Sequence, residues 1–166
     1  MISWPKPKIL KQLRGFLGLT GYYRRFVKNY AFIAAPLTNL LHTDGFQWSP
    51  ESDAAFESLK NVMTTVPVLR LPNFSETFIV ETDASNIGIG AVLMQSQHPI
   101  AYFSKKLSVC KQAEFAYHRE LHALVEVVYR WRQYLIGREF IIRTDQRSLI
   151  ELFTQVIQTP IQQYYV

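Results

Sequence analysis

The sequence of 166 residues predicts an α+β to α/β fold, in which a small helical module precedes a mixed sheet. Two observations carry this prediction. Apolar residues recur at helical spacing over the first 65 positions, whereas from about residue 76 they alternate with a period of two. One long helical pattern then interrupts the strand-like runs, so sheet and helix belong together. We therefore divide the chain into a helical module (1–65), an extended connector (66–75) and a sheet-containing domain (76–166).

The helical module is predicted to consist of short helices. Its first apolar stripe repeats at helical spacing and is expected to end near Gly21. Ser49 followed by Pro50 predicts the start of the last helix, because serine caps free N–H groups and proline fits the first turn. Between them we expect further helical turns at 22–30 and 36–41.

The sheet-containing domain is predicted to begin with three antiparallel strands, because three alternating runs are joined by short, turn-forming links. A long helix follows, and Gly137 is placed to end it. The predicted elements are strands at 76–82, about 88–95 and about 99–104, a helix at about 112–135, a strand at 139–144 and a helix at about 147–156.

The net charge of +5 is concentrated in the first half of the chain. Residues 1–75 hold nine lysines and arginines against four acids, whereas residues 76–166 hold nine of each. The first thirty residues contain seven cations, several aromatics and no acid, which indicates a polyanion partner such as duplex nucleic acid. A solvated helix face is the alternative interpretation. The cations predicted to contact nucleic acid are Lys11, Arg14, Arg24, Arg25 and Lys28.

The composition also excludes several classes of protein. No apolar run approaches the roughly 20 residues that cross a bilayer, so we expect no membrane partner. The single cysteine, Cys110, excludes an internal disulfide and a cysteine-based zinc site. No apolar stretch of the signal-peptide kind begins the chain, and we therefore expect an intracellular protein.

Three acids occupy positions at which carboxylates can meet around a metal ion. Asp83 and Asp145 each follow a strand-like run, and Glu120 lies on the apolar stripe of the long helix. Burying an unpaired carboxylate is costly, so Glu120 requires a cation or a proton. Carboxylate oxygens suit Mg²⁺ or Mn²⁺. The alternatives are an ion pair with an arginine for Glu120 and a turn-forming role for either aspartate.

The remaining polar residues of the long helix are expected to be exposed. Its sheet-facing stripe is predicted to comprise Ala113, Ala116, Glu120, Leu124, Val127 and Trp131. Glu114 and Glu126 are expected to be solvated. His118 and His122 are expected at the surface, because no metal-binding frame surrounds them.

Motifs spread over nearly the whole chain resemble one family. In the helical module they are LRGFLGLTGYYRRF at 13–26, PLT at 36–38, FQW at 46–48 and AFESLK at 55–60, followed in the connector by PVL at 67–69. Further along they are TDAS at 82–85, GIGAVL at 88–93, YFSKKL at 102–107, YHRELHAL at 117–124, WRQYL at 131–135, TDQRSL at 144–149 and TP at 159–160. The chain resembles the thumb or connection segment and the ribonuclease H domain of a gypsy-type LTR retrotransposon reverse transcriptase.

The resemblance implies an activity and roles for the three acids. The activity is endonucleolytic cleavage of the RNA strand of an RNA–DNA hybrid, selected through 2′-hydroxyl contacts in the minor groove. Asp83, Glu120 and Asp145 would be the catalytic acids, holding two Mg²⁺ (or Mn²⁺) ions roughly 4 Å apart. The implied location is a virus-like particle in the cytoplasm, or the nucleus.

The sequence departs from the family pattern in two respects. The polymerase fingers and palm are absent, so we expect no polymerase activity from this chain. We expect the ribonuclease H-like sheet to be incomplete at the C-terminus, because Glu151 is the only acid after Asp145 and does not supply the family's fourth ligand. A further protein segment or chain could complete the sheet, and without it we expect weak metal binding and slow cleavage at most. Two interpretations stay open: a ribonuclease H fragment, active or latent, and a non-catalytic module that binds nucleic acid or protein.

Overall fold

The computed structural model describes residues 3–42, 46–65, 69–145 and 149. The chain divides into two compact units, Met1–Val68 and Leu69–Val166, each with its own hydrophobic core. A mixed α/β architecture with a four-stranded sheet confirms the predicted fold class. No helix within the described ranges is both long and apolar enough to cross a membrane.

The first unit is built from short helices around one core. Its elements are α1 (Leu10–Tyr22), a 3₁₀ turn (Arg24–Phe26), α2 (Tyr30–Asn39) and α3 (Pro50–Thr64). Phe16 lies at the centre of the core, with its ring 4.7 Å from that of Phe56 and 5.9 Å from that of Trp4. The predicted start of α3 is confirmed, because Ser49 and Ser52 each accept a hydrogen bond from the other's backbone N–H.

Local predictions for the first two helices need correction. Gly21 does not end α1, which continues to Tyr22. The helical pattern predicted at 22–30 is broken by the 3₁₀ turn and by Asn29, whose φ of 57° is one that asparagine tolerates better than most residues. Pro36 lies inside α2 rather than at the start of a separate turn, because the buried Ala34 and Leu37 hold α2 in the core.

The second unit contains the sheet and the helices packed on it. Its elements are β1 (Phe78–Ala84), β2 (Gly88–Gln95), β3 (His98–Lys106), α4 (Val109–Gln112), α5 (Ala116–Arg130), α6 (Arg132–Leu135) and β4 (Phe140–Arg143). The helix predicted at about 147–156 lies outside the described residues, apart from Leu149. Residues 69–75 of the connector form neither helix nor strand, and the first strand begins at Phe78 instead of residue 76.

The strand order β3-β2-β1-β4 determines where the acids lie. The three consecutive strands are antiparallel neighbours, as predicted, whereas β4 pairs with β1 in parallel. Since parallel strands end at the same edge of a sheet, Asp83 near the end of β1 and Asp145 just after β4 lie at one edge. Glu81 is in register with Arg143 at that edge.

The predicted long helix is interrupted twice. Phe115 is extended (φ −61°, ψ 150°) and separates α4 from α5, and Trp131 (φ −102°, ψ 14°) separates α5 from α6 while its side chain packs in the core. As a result Ala113 and Ala116 are exposed, not part of the sheet-facing stripe, and Leu124 is only half-buried. The other members of that stripe, Glu120, Val127 and Trp131, are buried as predicted. Gly137 has the positive φ (71°) expected of a residue that follows a helix end, but the helix it follows is α6.

Candidate active site

The three acids predicted from the sequence lie on three different elements of the second unit. Asp83 is the next-to-last residue of β1 and is exposed. Asp145 follows the end of β4 by two residues and is also exposed. Glu120, in the second turn of α5, is only 5% exposed. One buried carboxylate therefore accompanies two that solvent can reach.

Glu120 is held through one carboxylate oxygen only. Its Oε1 accepts a hydrogen bond of 3.0 Å from the backbone N–H of Ala84, the residue that follows Asp83. Its Oε2 is buried and has no hydrogen-bond partner in the described part of the chain. A buried acceptor without a partner is costly, so this oxygen is suited to a cation or a proton.

Electrostatics link the three acids. Burial raises the pKa of Glu120 above its usual value, the hydrogen bond from Ala84 lowers it, and the charges of Asp145 and Asp83 raise it again. Both aspartates are therefore near enough to oppose ionisation of Glu120. Within residues 3–42, 46–65, 69–145 and 149, however, no three His, Cys, Asp or Glu side chains are packed closely enough to hold a metal ion as they stand.

An arginine does lie next to the buried acid, but it bonds to other groups. The guanidinium of Arg119 donates through Nη1 to the carbonyl oxygens of Gln112 (3.4 Å) and Glu114, and through Nη2 to Oδ1 of Asn86 (2.6 Å). Its charge lowers the pKa of Glu120, yet no ion pair joins the two among the described residues. The alternative interpretation of Glu120 as one half of an arginine ion pair therefore has no support in this part of the chain.

The other polar residues of α5 and its preceding turn are less exposed than predicted. Glu126 is half-buried and contacts Nζ of Lys105 at 2.7 Å and Nε2 of His122 at 3.3 Å. Glu114 pairs with Lys111 at 2.9 Å. The expectation that both glutamates are solvated is therefore wrong, because nearby cations cover them.

The histidines of α5 are half-buried, so they reach the surface only in part. Burial and the neighbouring Lys111 lower the pKa of His122. The ring of His118 lies against those of Phe115 and Tyr117, with centroids 6.1 and 5.7 Å apart. Both side chains are thus engaged with neighbours on or just before α5.

Sequence reasoning missed the polar groups that surround Glu120. They are the Ala84 N–H, which orients Glu120, and the Arg119 and Asn86 pair beside it. A backbone donor leaves no signal in a sequence. An ion pair of Glu120 with an unnamed arginine was one of the alternatives, but nothing in the sequence indicated that Arg119 would bond to carbonyl and amide oxygens.

The cations predicted to contact nucleic acid lie in the first unit. Lys11 and Arg14 are on α1, Arg24 and Arg25 are in the 3₁₀ turn, and Lys28 follows it; all five are exposed. On α1, Gly15 and Gly18 are exposed too, and a Cβ added to either would meet no atom within 4 Å. Tyr22, at the end of this helix, is 77% exposed.

A mixed sheet with acids at its strand ends and on the facing helix is typical of nuclease domains that work with divalent cations. The chain belongs to the family described as the RNase H-like domain found in reverse transcriptase, whose profile matches residues 48–142. The resemblance seen in the sequence is thereby confirmed.

The curated relatives are retrotransposon polyproteins. The chain is 43% identical over 151 residues to the retrovirus-related Pol polyprotein from transposon 297 of Drosophila melanogaster, covering 90% of this chain and 14% of the relative. It is 36% identical over 162 residues to the Tf2-3 polyprotein of Schizosaccharomyces pombe, covering 93% of this chain and 12% of the relative. The chain thus spans a small fraction of the polyproteins that it matches.

Solved structures share the fold at low sequence identity. The foamy viral protease-reverse transcriptase dRH in complex with double-stranded DNA has a TM-score of 0.86 at 19% identity, covering 98% of this chain and 30% of that one. The foamy viral protease-reverse transcriptase in complex with an RNA/DNA hybrid has a TM-score of 0.81 at 19% identity, covering 98% and 24%. These likenesses show that the fold is shared.

Proposed function

We propose that this chain supplies the ribonuclease H activity of a retrotransposon reverse transcriptase, the hydrolysis of the RNA strand of an RNA–DNA hybrid. The observation that carries the proposal is the state of Glu120: it is buried, one oxygen is held by Ala84, and the other lacks a partner while two further carboxylates act on it. Family membership and the hybrid-bound structural relative support the same substrate. No observation favours the non-catalytic interpretation.

Divalent cations are part of this proposal, since RNase H-like domains generally depend on them. Asp83, Glu120 and Asp145 would hold Mg²⁺ or Mn²⁺, two ions in the complete site, because hard oxygen ligands suit these metals. The unpartnered Oε2 of Glu120 fits this role, since a cation would offset the cost of burying it. Such ions, when bound, activate water and stabilise charge on the phosphate oxygens.

The chain's own groups orient the acids for that role. The Ala84 N–H fixes one oxygen of Glu120 and leaves the other available as a ligand. Because Ala84 follows Asp83 directly, this bond also ties the start of α5 to the part of β1 that carries Asp83. The side chains of Asp83 and Asp145 are exposed and can rotate towards a bound ion. The carboxylate of Glu120 is held in one orientation by the Ala84 N–H.

The basic residues of the first unit would bind the duplex. Lys11, Arg14, Arg24, Arg25 and Lys28 are all exposed, and the first thirty residues contain no acid that would neutralise them. Contacts of this kind are made to phosphates and carry little sequence preference. The bare surface of Gly15 and Gly18 between these cations would permit close approach of a duplex backbone.

A further protein segment that completes the sheet of the second unit is part of the same proposal.

The test is cleavage of a labelled RNA–DNA hybrid in Mg²⁺ and in Mn²⁺, with the 166-residue chain and with a version carrying a family-like C-terminal extension. We expect slow RNA cleavage by the first, faster cleavage by the second, and none by Asp83→Asn, Glu120→Gln or Asp145→Asn. Glu81→Gln is the matched control, since this exposed acid lies on β1 only two residues before Asp83. Cleavage that persists in Asp83→Asn, or its absence from both the unsubstituted chain and the extended version, would exclude the proposal.

A further inference from the structure

Arg119 connects two turns that flank the acidic site. One is the β1–β2 turn, which begins directly after Ala84 and presents Asn86 at its tip. The other is the turn between α4 and α5, whose carbonyl oxygens at Gln112 and Glu114 accept from the same guanidinium. The first turn follows Asp83 by two residues, and the second leads into the helix that carries Glu120.

The β1–β2 turn is itself tightly closed. The Ser85 N–H donates to the carbonyl of Gly88 at 2.9 Å, and the Ser85 hydroxyl accepts from the Gly88 N–H at 3.2 Å. Because these two bonds close the turn, a displacement of Asn86 would also displace the end of β1. The 2.6 Å contact between Arg119 and Asn86 restrains that end.

Two bonds consequently join the start of α5 to the end of β1. The first runs from the Ala84 N–H to Glu120, and the second from Arg119 to Asn86. They use different side chains on successive positions of α5. The first depends on the orientation of the Glu120 carboxylate, which must also serve as a ligand, whereas the second is independent of it.

We propose that Arg119 is a positioning residue, which holds the β1–β2 turn against the start of α5 and so fixes Glu120 relative to Asp83. The planar guanidinium serves three acceptors at once, which the single ammonium of a lysine cannot do in the same geometry. Groups that orient ligands in this way typically change metal affinity or activity about 10- to 100-fold when they are removed. The catalytic half of this inference rests on the proposed function, while its structural half does not.

The structural test is amide hydrogen exchange, measured by NMR on the 166-residue chain. We expect the Ala84 amide to exchange at least about tenfold faster in Arg119→Ala, Arg119→Lys and Asn86→Ala, because local opening controls exchange. The Val80 amide, in the middle of β1, should be unchanged. The double variant Asn86→Ala/Arg119→Ala should resemble Arg119→Ala, since that variant already removes the bond to Asn86. Arg130→Ala is the matched control, because this exposed arginine lies at the far end of α5.

The catalytic test is steady-state cleavage of the hybrid. In Arg119→Ala and Arg119→Lys we expect kcat to fall about 10- to 100-fold with KM little changed. Normal kcat in Arg119→Lys would show that charge alone matters and would overturn the proposal. So would unchanged Ala84 exchange in Asn86→Ala, or equal acceleration at Val80 and Ala84.

The two tests distinguish a failure of the proposed function from a failure of the proposed role of Arg119. If the wild-type chain cleaves no hybrid, the proposed function is in question, but the exchange rates still decide the role of Arg119. If Arg119→Ala does not fold, Asn86→Ala decides it, because that variant removes only an exposed side chain at a turn.

Discussion

The carboxylate of Glu120 and the backbone N–H of Ala84 are joined across the helix–sheet interface by a hydrogen bond of 3.0 Å. This bond satisfies one oxygen of a buried acid and leaves the other without a partner in the described part of the chain. Because Asp83 precedes Ala84, the same bond places a buried negative charge near an exposed one. A metal site gains affinity from such an arrangement, whereas the metal-free fold loses stability through it.

Glu120→Gln should stabilise the metal-free protein at neutral pH. Burial and the two aspartates raise the pKa of Glu120 in the folded state above that in the unfolded state, so the folded state favours the protonated form. The stability associated with Glu120 is complete below its usual pKa of 4.5 and is lost as pH rises through the folded-state value. Glutamine remains neutral at every pH. The Tm of Glu120→Gln should therefore exceed that of the wild type at pH 7, and the difference in Tm should decrease towards pH 4.5.

Thermal denaturation in the presence of a chelator measures this difference. Glu139→Gln is the control, since this glutamate is exposed and precedes β4 at the opposite end from Asp145. A lower Tm for Glu120→Gln at pH 7 would mean that the Ala84 hydrogen bond outweighs the burial of charge.

Divalent cations should reverse the order of stability. A ligand that binds only the folded state stabilises it by RT ln(1 + [L]/Kd), about 2.7 kcal/mol at one hundred times Kd. Mn²⁺ should therefore raise the Tm of the wild type, and the rise should be much smaller in Asp83→Asn, Glu120→Gln and Asp145→Asn. Differential scanning fluorimetry over a Mn²⁺ titration measures it, with Ca²⁺ as a second ion. An equal rise in the wild type and all three variants would place the bound metal elsewhere.

Most of the fold, and the positions of the three acids within it, could be predicted from the sequence, because both leave local signals. The period-two runs of β1, β2 and β3 and their short links are properties of neighbouring residues. Asp83 and Asp145 could be recognised because each comes at the end of such a run.

The interruptions of the long helix could not be predicted, because their causes are tertiary. Phe115 is extended where Arg119 draws in the carbonyls of the preceding turn, and Trp131 leaves the helical path to pack in the core. Apolar residues continue at helical spacing through Phe115 and Trp131, so the sequence pattern alone predicts one uninterrupted helix. The same limit explains why the partners of Arg119 were missed.

Gln95→Leu should destabilise the second unit. Gln95 is fully buried and donates to the carbonyl oxygens of Asn73 (2.7 Å) and Glu76 (2.9 Å), while its Oε1 accepts from the Asn73 N–H at 2.9 Å. Leucine would leave these backbone groups without partners, at a cost of about 1–3 kcal/mol for each buried group that water cannot reach. Urea denaturation measures the loss, and Gln133→Leu, at an exposed position of α6, is the control. An unchanged free energy of unfolding would show that water replaces Gln95 at the connector.

Replacing Arg24, Arg25 and Lys28 with alanine should weaken binding to duplex nucleic acid and reduce its dependence on salt. Each phosphate contact releases counterions, so the logarithm of the affinity falls with the logarithm of salt concentration by about 0.9 per contact. In the triple variant this slope should be reduced by the equivalent of up to about three phosphate contacts, and the reduction should be equal for hybrids of different sequence. Fluorescence anisotropy of a labelled hybrid at several salt concentrations measures the slope. Lys106→Ala is the control, because this exposed lysine lies on β3 of the other unit.

The same titration separates binding by the first unit from binding by the acidic site. The cations of the first unit do not depend on metal, so we expect binding to persist in a chelator and in Asp83→Asn. An unchanged slope in the triple variant would mean that these side chains form only a solvated face. If binding instead required Mg²⁺ and vanished in Asp83→Asn, the duplex would be held by the acidic site of the second unit, and the division of labour between the two units would be wrong.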